Sequence, residues 1–139
     1  MHNPFLELAE KFSETQQKLT KGAQLFHQLE SVEVGTCEKE EVWREDLVRL
    51  YHYKHEKPAT LKTPVLISYA LINRFHMMDL QPDRSLVRKL LSLGVDLYVL
   101  DTGYPTRNER YLTMDDYING YLNNAIDYIR KSCNLDKIN

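Results

Sequence analysis

Apolar residues recur at helical intervals over the first thirty positions. Phe5, Leu8, Phe12, Leu19, Phe26 and Leu29 follow one another at spacings of three, four or seven, which places them on one stripe of a helix. Asn3 can cap that helix, and Pro4 suits its first turn, where the missing N–H costs nothing. Gly22 weakens the middle, so the segment reads as one helix or as two shorter ones. Its stripe predicts docking, either on the protein's own body or on a partner subunit or a hydrophobic particle.

The period changes after Val34-Gly35-Thr36. Between Val42 and Tyr53, Val48 and Leu50 alternate with Arg49 and Tyr51, the period of a half-buried strand, and Glu45-Asp46 offers a turn between two antiparallel strands. Lys54 to Thr63 is polar, carries Pro58 and reads as a loop. Val65 to Ile72 is then almost continuously apolar, as expected of a strand buried on both faces of a parallel sheet. Asn73 to Pro82 connects it to a helix capped by Asp83 or Ser85, with Leu86, Val87, Leu90 and Leu93 on its buried stripe and Gly94 as its stop. Val95 to Leu100 is a second buried strand, and Asp101 to Leu112 is a loop. Thr113 and Asp116 form a capping-box pair for a helix carrying Ile118, Leu122, Ala125, Ile126 and Ile129 on one face. Asn134 ends that helix, and Leu135 to Ile138 lead into another strand. This alternation predicts the α/β class, with right-handed crossovers, and divides the chain into a helical segment, residues 1–33, and a sheet-containing core, residues 34–139.

Composition narrows the function classes. Hydrophobic residues make up 42% and charged residues 27% of 139 positions, ordinary for a globular domain, and the net charge is −2. Acidic and basic residues are interspersed, so no basic block offers a nucleic-acid footprint. The longest apolar stretch, Val65 to Ile72, is far short of the roughly 18 residues of a membrane span. Met-His-Asn-Pro lacks the features of a secretory leader, and Cys37 and Cys133 lack metal or disulfide-framework spacing, so a reducing cytoplasm is expected. Both cysteines read as ordinary thiols. His52 and His55 sit three apart on an extended segment, which predicts opposite faces and no metal site. His76 lacks a nucleophile to serve, because Ser85 reads as a helix cap. The nine tyrosines read as packing residues with solvated hydroxyls.

Three motifs then occur in order: Tyr69-Ala-Leu-Ile-Asn-Arg-Phe-His-Met-Met-Asp-Leu-Gln-Pro-Asp-Arg-Ser-Leu-Val, Asp101-Thr-Gly-Tyr-Pro-Thr-Arg and Asp115-Asp-Tyr-Ile-Asn-Gly-Tyr. With them the chain, from about Val34 to Asn139, resembles polyhydroxyalkanoate synthases, most closely the catalytic subunit of the two-subunit class. The resemblance implies the N-terminal part of an α/β-hydrolase fold, its sheet incomplete beside Val65–Ile72. It implies transfer of (R)-3-hydroxyacyl groups from coenzyme A to a growing polyester, with coenzyme A as substrate carrier and no cofactor or metal. The family's nucleophile is the cysteine of Gly-x-Cys-x-Gly, served by a later aspartate and histidine. That motif does not occur in these residues, so no catalytic residue is carried over and the chain alone is expected to be inactive. What carries over is the loop after the first parallel strand, which supplies an oxyanion-hole N–H: Ile72 first, Asn73 second. Arg74 and Arg107 are the candidates for coenzyme A phosphates. A companion synthase subunit, a second copy and the polyester granule surface are the implied partners. Two positions depart from the family pattern: Asn73-Arg74-Phe75-His76 stands where Asn-Arg-Pro-Tyr is usual, and Asp101-Thr102-Gly103 where Asp-Trp-Gly is usual. A non-catalytic binding or regulatory protein and part of a diverged thioester hydrolase are the alternative readings.

Overall fold

The computed structural model describes residues 4–28, 34–55 and 58–139. The chain divides into two compact units, Met1–Glu33 and Val34–Asn139. The described residues of the first form α1 (Pro4–Gln28), which runs through Gly22 without a break. Phe12, Leu19 and Leu25 are exposed on it. The expected cap Asn3 and Leu29 lie outside the described residues, as do the side chains of Phe5, Leu8 and Phe26.

The second unit is built on a four-stranded sheet in the order β1-β2-β4-β3, where β1 is Lys39–Glu45, β2 Val48–Tyr53, β3 Val65–Ser68 and β4 Leu97–Asp101. β1 and β2 form an antiparallel hairpin around Asp46-Leu47, with Asp46 in the left-handed region at φ +51. A bulge between Glu41 and Trp43 leaves Val42 unpaired, so Val42 and Trp43 both pack toward the same core cluster. β2 pairs antiparallel with β4, and β4 pairs parallel with β3.

Alternation along β2, β4 and β3 sends residues to two opposite cores. Val48, Leu50, Tyr98 and Leu100 meet Tyr121, Ala125 and Ile129 of the last helical segment, in which π-helical Asp116–Leu122 continues into α3 (Asn123–Cys133). Tyr53, Leu97 and Val99 meet Cys37, Met78 and Val87, the last from α2 (Leu86–Ser92). β2 is therefore covered on both faces rather than half-buried, and Tyr53 is fully enclosed. β4, between two strands and two helical layers, is the most buried strand.

Several expected boundaries move, each for a physical reason. β3 stops at Ser68 although the apolar run continues to Ile72, because Tyr69 leaves the ladder and the Asn73 N–H donates to the Ala70 carbonyl in a turn. β3 is also half-buried rather than enclosed, since only β4 pairs along its length. A short 3₁₀ helix, Phe75–Met78, occupies the following connection. On α2 only Val87, Leu90 and Leu91 face the core, while Leu86 and Leu93, roughly a quarter turn round from Val87, are exposed. Ser85, not Asp83, is its cap, accepting from the Arg88 N–H, and Gly94 follows its end at φ +78. The π-helical turn widens the spacing ahead of α3, so the stripe runs Tyr121, Ala125, Ile129 and swings Ile118 outward. The capping pair forms as expected, with the Asp116 carboxylate accepting from the Thr113 N–H and hydroxyl. Asn134 ends α3 in the left-handed conformation.

Gly103 fastens the loop after β4 to the β1–β2 hairpin. It has φ +67, its N–H donates to the Asp101 carboxylate at 3.0 Å, and a Cβ there would lie 2.5 Å from the Leu47 carbonyl oxygen. Gly103→Ala therefore combines left-handed strain with a backbone clash and is expected to destabilise the fold by about 1–3 kcal/mol. Chemical denaturation followed by circular dichroism checks this; an unchanged midpoint would contradict the close approach.

Candidate functional site

Because β3 and β4 run parallel, the loops that leave their C-terminal ends emerge side by side. The loop after β3, Tyr69–Asn73, and the start of the loop after β4 border a crevice of about 530 Å³. Leu100 and Thr102 form one wall, and Met114, Tyr117, Ile118 and Tyr121 form another, so the lining is largely apolar. Thr102 is buried at its edge. Tyr121 donates its hydroxyl to the Asp46 carboxylate at 2.9 Å; burial, then this bond, pushes the phenol up to about 12, so it stays neutral.

Ile72 and Asn73 both border the crevice. They differ in what their backbone can offer. The Asn73 N–H is engaged by Ala70, whereas the Ile72 N–H has no acceptor among the described residues. The Ile72 side chain is 92% exposed. Arg74 turns away from the crevice and stacks its guanidinium on Tyr104, 3.0 Å from the ring centroid, joining the two loops. Arg107 is exposed in the turn beyond. His76 lies in the 3₁₀ helix, edge-on to Phe75, and does not border the crevice.

Outside the crevice the fold also holds a buried polar cluster. Asp79, wholly enclosed, accepts from the Cys37 N–H at 2.7 Å, from the Ser85 hydroxyl at 2.6 Å and from the Cys37 thiol at 3.1 Å. Its own carbonyl accepts from the Gly35 N–H at 2.6 Å. Burial alone would raise the Asp79 carboxyl, but the hydrogen bonds from Ser85 and Cys37 and the charge of Arg88 outweigh it and hold it below the usual range. The Cys37 thiol goes the other way, raised by burial and then by the Asp79 carboxylate. It stays protonated, a donor rather than a nucleophile. Cys133, as expected, is a half-buried thiol, 3.7 Å from the Tyr98 hydroxyl.

The two histidines depart from expectation. β2 ends at Tyr53, so strand alternation does not extend to His55, and both Nε2 atoms approach one Asp96 oxygen, at 2.6 Å for His52 and 3.9 Å for His55. No group of three metal-binding side chains occurs among the described residues. Not every tyrosine hydroxyl is wet, either: that of Tyr53 is buried without a partner.

Comparison with known proteins identifies the family. The model of the poly-beta-hydroxybutyrate polymerase (PhaC) N-terminus matches residues 6–90. The chain belongs to this family. It is 39% identical over 135 residues to the poly(3-hydroxyalkanoate) polymerase subunit PhaC of Allochromatium vinosum, covering 96% of this chain and 38% of that protein. With the subunit of the same name from Synechocystis sp. it shares 49% identity over 109 residues, 78% of this chain and 29% of the relative. With that of Haloferax mediterranei it shares 44% over 108 residues, 78% of this chain and 22% of the relative. The chain thus spans well under half the length of the relatives it matches.

Within the polymerase N-terminus, the Asp79 cluster is the feature that local sequence patterns did not reveal. Cys37 and Asp79 are 42 residues apart, and Cys37 read as part of a polar connector. Asp79→Asn removes an acceptor from enclosed donors and is expected to cost about 2–4 kcal/mol. The sign of the pH effect follows from the lowered carboxyl: its stabilisation is present above the ordinary carboxylate range and is lost as pH falls through the folded value. Denaturation midpoints of wild type and Asp79→Asn should draw together as the pH is taken progressively below the ordinary carboxylate range. Parallel curves would show that Asp79 does not contribute as a charged acceptor.

Proposed function

We propose that this chain supplies the first part of the acyl-transfer core of a polyhydroxyalkanoate polymerase, acting on (R)-3-hydroxyacyl-coenzyme A and a growing polyester. The observation that carries the reading is the Ile72 N–H, without an acceptor among the described residues, at the rim of an apolar crevice beside two parallel strand ends. In this reading a cysteine thiolate, contributed from outside these residues, attacks the thioester carbonyl carbon. The carbonyl oxygen takes the negative charge, and the Ile72 N–H donates to it, with Asn73 the weaker candidate because its N–H is already engaged. The apolar walls receive the hydroxyacyl group. Arg107 is the better candidate for a coenzyme A phosphate, since Arg74 is held on Tyr104. The chain works in the cytoplasm and at the granule surface, where soluble thioester meets insoluble polymer, alongside a companion subunit or a second copy. No helix among the described residues is long and apolar enough to cross a membrane.

One observation favours a second reading, a binding or regulatory role: Phe12 and Leu19, one heptad apart on α1, are about two-thirds exposed, at 68% and 69%.

Two measurements test the polymerase reading. The purified chain is expected to release no coenzyme A from (R)-3-hydroxybutyryl-coenzyme A above background. Turnover by the chain alone would reveal a nucleophile within it, and Cys133→Ala would then locate it. In a polymerase made by joining the chain to the unmatched portion of a relative, Ile72→Pro removes the proposed donor and should lower kcat by about 10²–10³. Ile72→Ala, which keeps the N–H, should change it little; equal losses in both variants would exclude the oxyanion role.

A further inference from the structure

Ile72 does little to fix its own peptide group, because its side chain is 92% exposed. Its placement falls to its neighbours along the chain. On the upstream side the last sheet pairing is Ser68 with Leu100. The Asn73 N–H then closes a turn on the Ala70 carbonyl at 3.2 Å, and Ile72 lies inside that turn. On the downstream side two consecutive residues are stacked on two different elements. Arg74 lies 3.0 Å from the ring centroid of Tyr104, in the loop after β4. Phe75 stacks on Tyr51 of β2, with centroids 5.1 Å apart and planes 27° from parallel. The Lys39 ammonium sits over both rings, 5.8 Å from the Phe75 centroid and 6.0 Å from that of Tyr51. It is held there by its hydrogen bond to the Gly35 carbonyl at 2.9 Å. The 3₁₀ helix that Phe75 begins is held at its far end too, where the Asp79 carbonyl accepts from the Gly35 N–H at 2.6 Å. Arg74, Phe75, Tyr51, Tyr104 and Lys39 do not line the crevice, so none of them is placed to touch a substrate there.

We propose that Arg74 and Phe75 are positioning residues. Their two stacks, on Tyr104 and on Tyr51 beneath Lys39, fix the far end of the turn and so aim the Ile72 N–H. The inference rests on the polymerase reading for what that N–H does. A donor to a developing oxyanion acts only if it is already in place when the charge forms. A misplacement of about 1 Å at such a site costs on the order of 10²-fold in rate. Both stacks depend on flat groups. A lysine in place of Arg74 keeps the charge and loses the plane that lies on Tyr104. A leucine in place of Phe75 keeps the apolar side chain and loses the ring that Tyr51 and Lys39 meet. Arg74 and Tyr104 are both exposed, so the first of these changes leaves the core untouched.

The test has two independent readouts. In the chain itself, ¹⁵N relaxation measures the order parameter of the Ile72 amide, with the buried β4 amides as internal reference. Wild type should lie near the rigid value of about 0.85, and Arg74→Lys and Phe75→Leu should each lower it toward about 0.6 while β4 is unchanged. Phe75→Tyr keeps the ring and should restore the wild-type value. In the polymerase made by joining the chain to the unmatched portion of a relative, the two loosening variants should lower kcat by about tenfold or more and leave KM nearly unchanged. Phe75→Tyr should rescue kcat there as well. An Ile72 amide that is mobile in wild type, or equally rigid in every variant, would overturn the proposal. So would a fall at Ile72 that is matched in β4, since that is general destabilisation, or a rise in KM at constant kcat. Loosening of Ile72 with kcat and KM both unchanged would uphold the two stacks as what fixes the turn and count against the oxyanion role of Ile72.

Discussion

The parallel pairing of β3 with β4 is the contact on which the rest of this molecule depends. It sets Val65 against Leu97 and Ser68 against Leu100, so the two chains leave the sheet at the same end. An antiparallel arrangement would send one of the loops to the far end and leave no crevice between them. The pairing also makes β4 an interior strand, wholly buried from Leu97 to Leu100, from which side chains reach both core clusters. Burying each such aliphatic side chain contributes about 1.5–3 kcal/mol, so this short strand carries a large share of the stabilisation of both layers.

Polar contacts then hold what the sheet positions. Asp79 ties the segment before β1 to the start of α2 through Cys37 and Ser85. Arg74 on Tyr104 joins the loop after β3 to the loop after β4. On the opposite face Tyr121 and Asn124 reach Asp46 and Glu45 at the hairpin turn. Each of these joins separate elements of the fold.

Periodicity made the elements legible and left their limits obscure. The apolar run Val65 to Ile72 marked a parallel strand, but nothing in the run records that pairing ends at Ser68, since the four residues beyond are equally apolar. The capping pair Thr113–Asp116, the stop at Gly94 and the left-handed Asn134 depend only on near neighbours, and they were readable for that reason. Contacts across the fold were not. Cys37 meets Asp79 over 42 residues, and His52 and His55 converge on Asp96 because β2 has already ended between them. For the crevice, the resemblance pointed to the loop, and the turn bond from Asn73 to Ala70 is what separates Ile72 from its neighbour.

The most direct measurement is the set of nuclear Overhauser contacts among backbone protons of β3, β4 and Asn139 in the 139-residue chain. Leu66 should meet Tyr98 and Ser68 should meet Leu100 in a parallel pattern, with Asn139 beside Val65 on the opposite edge. Antiparallel contacts between β3 and β4, or β3 paired on neither side, would contradict the account at its base.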